Sequence, residues 1–447
     1  MSRLKNMTDG KPIRLMMQFA LPLLLTNALQ MLFTVADSAV VGRILGVNAF
    51  AAVLATANLH WFVLSFAFGM SQGFGAYFAQ RFGAEDFDGL RRAFVTTVYM
   101  VVVFGVVVGA LGIATSRPIL MLLETPQELI YDSVIYLDIM LAGLPIMFAY
   151  NMLSMTLYSL GDSRTPLRAS IIAMVLNISL NLVLIFPFGI AGVAAASLVA
   201  QSVALTYCFL TLKKTGILNG SGLRPHGNTV LPLLKFSLPL GIRNAIIEVG
   251  GLLVQRYVNI SGTEYVAGIG AARRMYSLLM IAGGAIEAST MTFVAQNFGA
   301  GRIDRVKSGV KDGLRLAIIS ALVIMAVVLP FGRVILGLMV SGEPEQINAV
   351  LDIGAQQLRV MGLFLPFLYI LFLFRAALQG IGNTFIPMVS GFVEAGTKVF
   401  SALVITRFFG IWGVYLSDPL GWPMATILLV IAYVLSFKKL KNQGERL

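Results

Sequence analysis

Between residues 15 and 437 the sequence is a succession of apolar runs, broken only by glycine, proline or short charged segments. No other feature constrains the fold so tightly. A helix of about 20 apolar residues crosses the hydrocarbon of a bilayer, and there it must satisfy its own backbone hydrogen bonds. The breaks define twelve runs of that length, at 15–41, 49–80, 94–115, 130–158, 169–188, 190–212, 231–260, 265–298, 314–340, 347–378, 385–408 and 411–437. The fold expected is an all-α polytopic membrane protein with twelve transmembrane helices. Only 12% of the residues are charged and 57% are hydrophobic, whereas a soluble domain carries about 25% charged residues. That balance excludes a water-soluble enzyme, and so much apolar surface excludes a disordered chain.

The net charge of +12 sits in short loops, so it reads as membrane topology and not as a nucleic-acid surface. With the amino terminus inside, Arg81, Arg91, Arg92, Arg164, Arg168, Lys213, Lys214, Arg302, Arg305, Lys307, Lys311 and the basic tail all lie inside. The outer loops hold only Arg43, Arg117, Arg256, Arg333 and Arg407. The bias places both termini in the cytoplasm of a cell-membrane protein. The first run is too long for a signal-peptide core. The single cysteine, Cys208, excludes an intrachain disulfide. His60 and His226 are too few and too far apart for a zinc site. No Ser-His-Asp set or phosphate loop is visible, so the expectation is a non-enzyme without a cofactor.

The chain also repeats itself. Phe19-Ala20-Leu21-Pro22-Leu23 returns as Phe236-Ser237-Leu238-Pro239-Leu240, and Ala79-Gln80-Arg81-Phe82-Gly83-Ala84 as Ala295-Gln296-Asn297-Phe298-Gly299-Ala300, at offsets of 217 and 216. Leu144-Pro145, Gly161-Asp162, Pro166 and Gly189-Ile190 return 221 residues later as Leu365-Pro366, Gly382-Asn383, Pro387 and Gly410-Ile411. A long repeat in fixed register marks two structural units. The expected domains are an amino-terminal six-helix lobe at 1–212, a polar cytoplasmic linker at 213–229 and a carboxy-terminal six-helix lobe at 230–447. Six is even, so both lobes cross in the same sense, related by a pseudo-twofold axis along the membrane normal. That arrangement suits alternating access. Pro22, Pro145, Pro239 and Pro366 lie in or at the ends of runs, where proline can kink a helix.

In order and spacing, these motifs resemble the multidrug and toxic compound extrusion (MATE) transporters, within the larger group of lipid and polysaccharide flippases. The resemblance rests on Leu21-Pro22, on Asp37 followed by Val41-Gly42 and Leu45-Gly46, on the two Ala-Gln-x-Phe-Gly-Ala boxes, and on Gly161-Asp162-Ser163-Arg164-Thr165-Pro166. It implies a secondary antiporter, a monomer in membrane lipid, that exports amphipathic, often cationic compounds in exchange for H⁺ or Na⁺. The alternative within the group is a lipid-linked oligosaccharide flippase, which would need a strongly cationic cavity.

Asp37 is the only ionisable side chain of the first run, and a carboxylate at membrane depth marks a functional site by default. Gln30 and Thr34 lie seven and three residues before it, on the same helical face. Asn177 and Asn181, four apart in the fifth run, share a face; Ser197 in the sixth is a further oxygen donor. The resemblance pairs the first-run acid with Asn177 and Asn181, although many archaeal relatives carry a second aspartate where this chain has Asn181. One carboxylate among amide and hydroxyl oxygens could take a proton or hold Na⁺, a hard cation; the asparagines could equally serve helix–helix hydrogen bonding. The second half holds Arg243, Glu248, Arg273, Arg274, Glu287, Glu394, Lys398 and Asp418 inside its runs. Glu248, Glu287 and Arg274 are a second candidate coupling or drug site, or else part of an ion-pair network. Glu394 and Lys398 are spaced for an i, i+4 pair.

Overall fold

The computed structural model describes residues 6–219, 224–338 and 344–444. Among them there is no β-strand. The helices are α1 (Pro12–Ile44), α2 (Val47–Gly83), α3 (Phe87–Leu122), α4 (Gln127–Ala142), α5 (Leu144–Ser159), α6 (Arg164–Lys214) and α7 (Gly227–Ile260). They continue with α8 (Thr263–Gly299), α9 (Ile303–Gly337), α10 (Pro344–Gly380), α11 (Phe385–Phe400), α12 (Thr406–Phe409), α13 (Trp412–Tyr415) and α14 (Gly421–Gly444). Among the described residues, ten stretches are long and apolar enough to cross a membrane singly, and α4 with α5 forms an eleventh, bent by 47°. Gly189 divides the 51-residue α6 into two arms, each of span length, which accounts for the twelfth run.

The breaks follow from backbone chemistry. Gly189 has φ 55° and ψ −133°, and Gly410, 221 residues on, has φ 59° and ψ −134°. Only glycine adopts that region readily, so both repeats turn between their last two spans by the same device. Gly189→Ala should destabilise the protein by about 1–3 kcal/mol, read as a lowered thermal midpoint by intrinsic fluorescence. Gly161 and Gly382 are a second matched pair, with φ 80° and 88°. After Gly161, Asp162 accepts hydrogen bonds from the backbone N–H groups of Arg164 and Thr165 at 3.0 Å and so caps α6. Asn383 does the same more weakly for Ile386, at 3.3 Å.

The two Leu-Pro motifs behave differently. At Pro145 the chain bends between α4 and α5, whereas α10 runs through Pro366. Gly143 precedes the first motif and Phe364 the second, so backbone freedom and the missing proline donor coincide only at Pro145. α3 packs into the bend through two glycines. A Cβ on Gly105 would stand 2.7 Å from Pro145 Cα, and one on Gly109 would stand 2.6 Å from the Leu141 carbonyl oxygen. Small residues four apart allow this approach.

The end of the chain departs from the expected continuous run at 411–437. α13 stops at Tyr415, Asp418 and Pro419 lie in a turn, and α14 begins at Gly421. Pro419 has no backbone N–H to donate to a helical hydrogen bond, and Gly421 follows two residues later. Upstream, residues Ser401–Ile405 widen into a π turn.

Between α2 and α3, Asp86 accepts from the Gly89 N–H at 2.8 Å and pairs with Arg81 at 2.6 Å. The Gly89 hydrogen bond, with Arg81 beside it, holds the Asp86 carboxyl below the usual range. Its capping contribution is therefore complete above the ordinary carboxylate pKa and is lost only as the pH falls through the lowered value. Just before it, Glu85 has φ 57°, where the second repeat has Gly301 at φ 70°. Glu85→Gly should relieve that strain and raise stability by about 1 kcal/mol, measurable as a higher thermal midpoint.

The chain forms two compact units. The first comprises Met1–Met7 and Leu21–Gly241, with a core around Phe74, Phe78, Phe148 and Leu157. It includes the first part of α7: a Cβ on Gly73 would meet the Phe236 carbonyl oxygen at 2.3 Å, and the Tyr77 ring stands edge-on to Phe236 at 5.3 Å. The second unit comprises Thr8–Ala20 and Ile242–Leu447, with a core around Tyr369, Phe372, Leu373 and Trp422. Within it, Arg302 donates to the Thr8 carbonyl and pairs with Asp9, both at 2.8 Å. Arg305 donates to the Gly10 carbonyl at 3.0 Å. α1 and α7 thus each begin in one unit and end in the other, changing over beside Pro22 and Pro239.

Candidate functional site

The turn at Gly189 folds the two arms of α6 back on each other. Gly192 allows them to close, since a Cβ there would fall 2.2 Å from the Leu184 carbonyl oxygen. The antiparallel arms bring Asn177 and Asn181 of one arm beside Ser197 of the other, and all three are buried. Asn177 Nδ2 donates to Ser197 Oγ at 3.1 Å, and Asn181 Nδ2 donates to Asn177 Oδ1 at 3.1 Å.

α1 completes the cluster with Asp37. Asn181 Nδ2 donates to Asp37 Oδ1, and Ser197 Oγ donates to Asp37 Oδ2 at 3.1 Å. The sequence thus places four of the six expected residues in one cluster: Asp37, Asn177, Asn181 and Ser197. Gln30 is exposed. The Thr34 side chain lies outside the described residues. Asn181 Oδ1 is buried with no hydrogen-bond partner, so the amide leaves an acceptor available beside the carboxylate. A single acid surrounded by neutral oxygens and donors can change its charge by one unit, by taking a proton or a monovalent cation. Among the described residues no group of three His, Cys, Asp or Glu side chains could hold a metal ion.

The second unit carries its own buried polar cluster. Glu287 of α8 pairs with Arg243 of α7 at 3.5 Å. The expected Glu394–Lys398 pair does not form: Glu394 pairs with Arg375 of α10, and Lys398 with Asp418 at 2.8 Å. The i, i+4 spacing is overridden because both side chains point into the bundle, where α10 and the Asp418 turn offer closer partners. Arg375 also donates to Ser390 Oγ at 3.0 Å. The sequence reading passed over Arg375, although an arginine between Leu373-Phe374 and Ala376-Ala377 in an apolar run is itself a signal of an interior charge. Arg274 is exposed, away from the buried Glu287, and Glu248 is half-buried.

The MatE family model matches residues 22–183 and 239–404, one copy in each repeat. The chain is 30% identical over 380 residues to a probable multidrug resistance protein, YpnP, of Bacillus subtilis, covering 84% of each chain. It is 25% identical over 414 residues to the probable multidrug resistance protein NorM of Thermotoga maritima, covering 90% of this chain and 88% of that one. A FAD transporter of Shewanella oneidensis is 26% identical over 319 residues, 68% of this chain and 70% of that one. Among solved structures, a MOP-superfamily transporter of Pyrococcus furiosus, described as having a binding pocket of reversed polarity, superposes with a TM-score of 0.90 at 20% identity, over 98% of both chains. An outward-facing multidrug resistance MATE transporter superposes with a TM-score of 0.89 at 19% identity, again over 98% of both. With both repeats matched and a relative at 30% identity along most of its length, this chain belongs to the MatE family of multi-pass membrane transporters, and it is not an enzyme.

Proposed function

We propose that the protein is a secondary antiporter that exports amphipathic, often cationic drugs or toxins across the cell membrane in exchange for inward H⁺ or Na⁺. The names of the YpnP and NorM relatives support drug export. The observation that carries ion coupling is the Asp37 cluster: one carboxylate on an apolar helix, held by Asn181 and Ser197. A cation entering from outside neutralises Asp37, and the hydrogen bonds that fix α1 against α6 weaken with the charge that they serve. Drug affinity falls and the drug leaves; ion release inside restores the charge. Both termini lie in the cytoplasm on this reading, and a single chain suffices.

The relatives that suggest anionic cargo give a second reading, an anionic-substrate or lipid-linked sugar flippase. The buried Arg243 and Arg375 favour it, but Glu287 and Glu394 match them one for one, which leaves no cationic cavity from these pairs. Ethidium efflux from proteoliposomes under an imposed Na⁺ or pH gradient tests the choice. Gradient-driven efflux is expected; movement of a fluorescent lipid-linked sugar without ethidium transport would replace the antiporter with the flippase.

A further inference from the structure

On the exposed side of the second arm of α6, Val199, Ser202, Val203, Thr206, Tyr207 and Leu210 line a groove of about 430 Å³. Val199, Val203 and Leu210 are 46%, 38% and 50% exposed. From Val199 to Leu210 the groove follows the helix for about 16 Å, close to the depth of one leaflet's hydrocarbon, about 15 Å. Lys213 and Lys214, both exposed, stand three and four residues past Leu210. By helical periodicity they straddle the line of the groove.

Arg164 and Arg168 are exposed at the same end of the other arm. The Asn177–Ser197 hydrogen bond sets the register of the antiparallel arms, so Arg164, thirteen residues before Asn177, is level with Leu210, thirteen residues after Ser197. α6 contains no Asp or Glu, and none of these four cations has an ion pair among the described residues. Lys213 and Lys214 suit a helix C-terminus, but Arg164 and Arg168 occupy the first turns of α6, where the helix dipole disfavours positive charge. The matching positions of the second repeat carry none of these cations. The positions 221 residues on are Phe385, Val389, Val434 and Leu435, and bulky Met424, Ile427 and Ile431 stand where the groove has Val203, Thr206 and Leu210.

We propose that this face is a seat for one anionic phospholipid, with an acyl chain in the groove and its phosphate among Lys213, Lys214, Arg164 and Arg168. The groove supplies the length and the four cations supply the charge complementarity. Zwitterionic lipid fits the groove equally but brings its own cation to the basic end.

Native mass spectrometry of the full chain, released from detergent with equal amounts of dioleoyl-phosphatidylglycerol and dioleoyl-phosphatidylcholine, tests the seat. One phosphatidylglycerol should be retained in preference. Lys213→Gln/Lys214→Gln should lower that preference roughly thirtyfold, about fivefold for each cation. Val203→Trp should weaken retention by filling the groove. The control Lys438→Gln/Lys439→Gln, at exposed basic positions near the end of α14, should leave it intact. An unchanged preference in the Lys213/Lys214 variant overturns the proposal. So does an equal loss in the control, which would mean diffuse attraction to basic ends, or displacement of the lipid by an equal concentration of inorganic phosphate. The four substituted lysines are exposed, and a monodisperse size-exclusion profile verifies that each variant is folded.

Discussion

Asp37→Asn is expected to abolish gradient-driven ethidium efflux from proteoliposomes while leaving the protein folded. The amide has the shape of the carboxylate: its oxygen accepts from Asn181, and its Nδ2 donates to the Ser197 hydroxyl where the carboxylate accepted from it, so α1 stays docked on α6 as in the neutralised state. It cannot change its charge, so the ion no longer alters drug affinity, and a ligand shifts a conformational equilibrium only through differential affinity. Efflux should fall to the rate of protein-free liposomes, and ethidium should bind with the weak affinity of the neutralised state, no longer responding to pH or Na⁺. Exchange of one monovalent cationic drug for one H⁺ or Na⁺ is electroneutral, so a tenfold ion gradient, worth about 1.4 kcal/mol, supports about a tenfold drug gradient. A neutral drug also draws on the membrane potential, about 2.3 kcal/mol per 100 mV. Collapsing the potential with valinomycin should therefore spare ethidium export and reduce that of a neutral substrate. Undiminished efflux by Asp37→Asn would remove the residue from coupling, and a parallel Glu248→Gln variant would show whether the second unit couples instead.

Arg375→Leu should be the most destabilising single substitution in the second unit. Arg375 and Glu394 have side chains only 4% and 7% exposed. Removing the arginine leaves a buried carboxylate beside Ser390 without its cation, at a cost of about 3–5 kcal/mol. Arg375→Leu/Glu394→Leu removes both charges, and most of that loss should return, because apolar replacement of a whole buried pair is close to neutral. The midpoint of thermal unfolding in detergent checks both. A double variant no more stable than the single one would mean that the pair contributes through the neighbouring Arg243–Glu287 pair and not locally.

Much of the fold is legible in the sequence because bilayer thickness fixes helix length and the repeat fixes the register. Gly189 and Gly410 show how far that goes: the same residue, 221 positions apart, adopts the same backbone angles. The first unit's site was legible for a related reason. An acid in an otherwise apolar helix, and two asparagines four apart, have few places to go except toward each other. The second unit was harder to read. Sequence spacing offers Glu394 a partner at Lys398, but the actual partners come from α10 and from the turn at Asp418, and only packing decides between them. The different fates of Pro145 and Pro366 likewise depend on a neighbour, Gly143 against Phe364, and on the glycines of α3 that fill the bend.

The central claim is that the Asp37 carboxylate is where the coupling cation binds. The most direct measurement is cation binding by the purified transporter itself, with ²²Na⁺ by scintillation proximity and proton release by a pH indicator in unbuffered detergent. Wild type should bind one of the two cations with one-to-one stoichiometry, Asn181→Ala and Ser197→Ala should bind it more weakly, and Asp37→Asn should not bind it. Full, stoichiometric binding of that cation by Asp37→Asn would contradict the account.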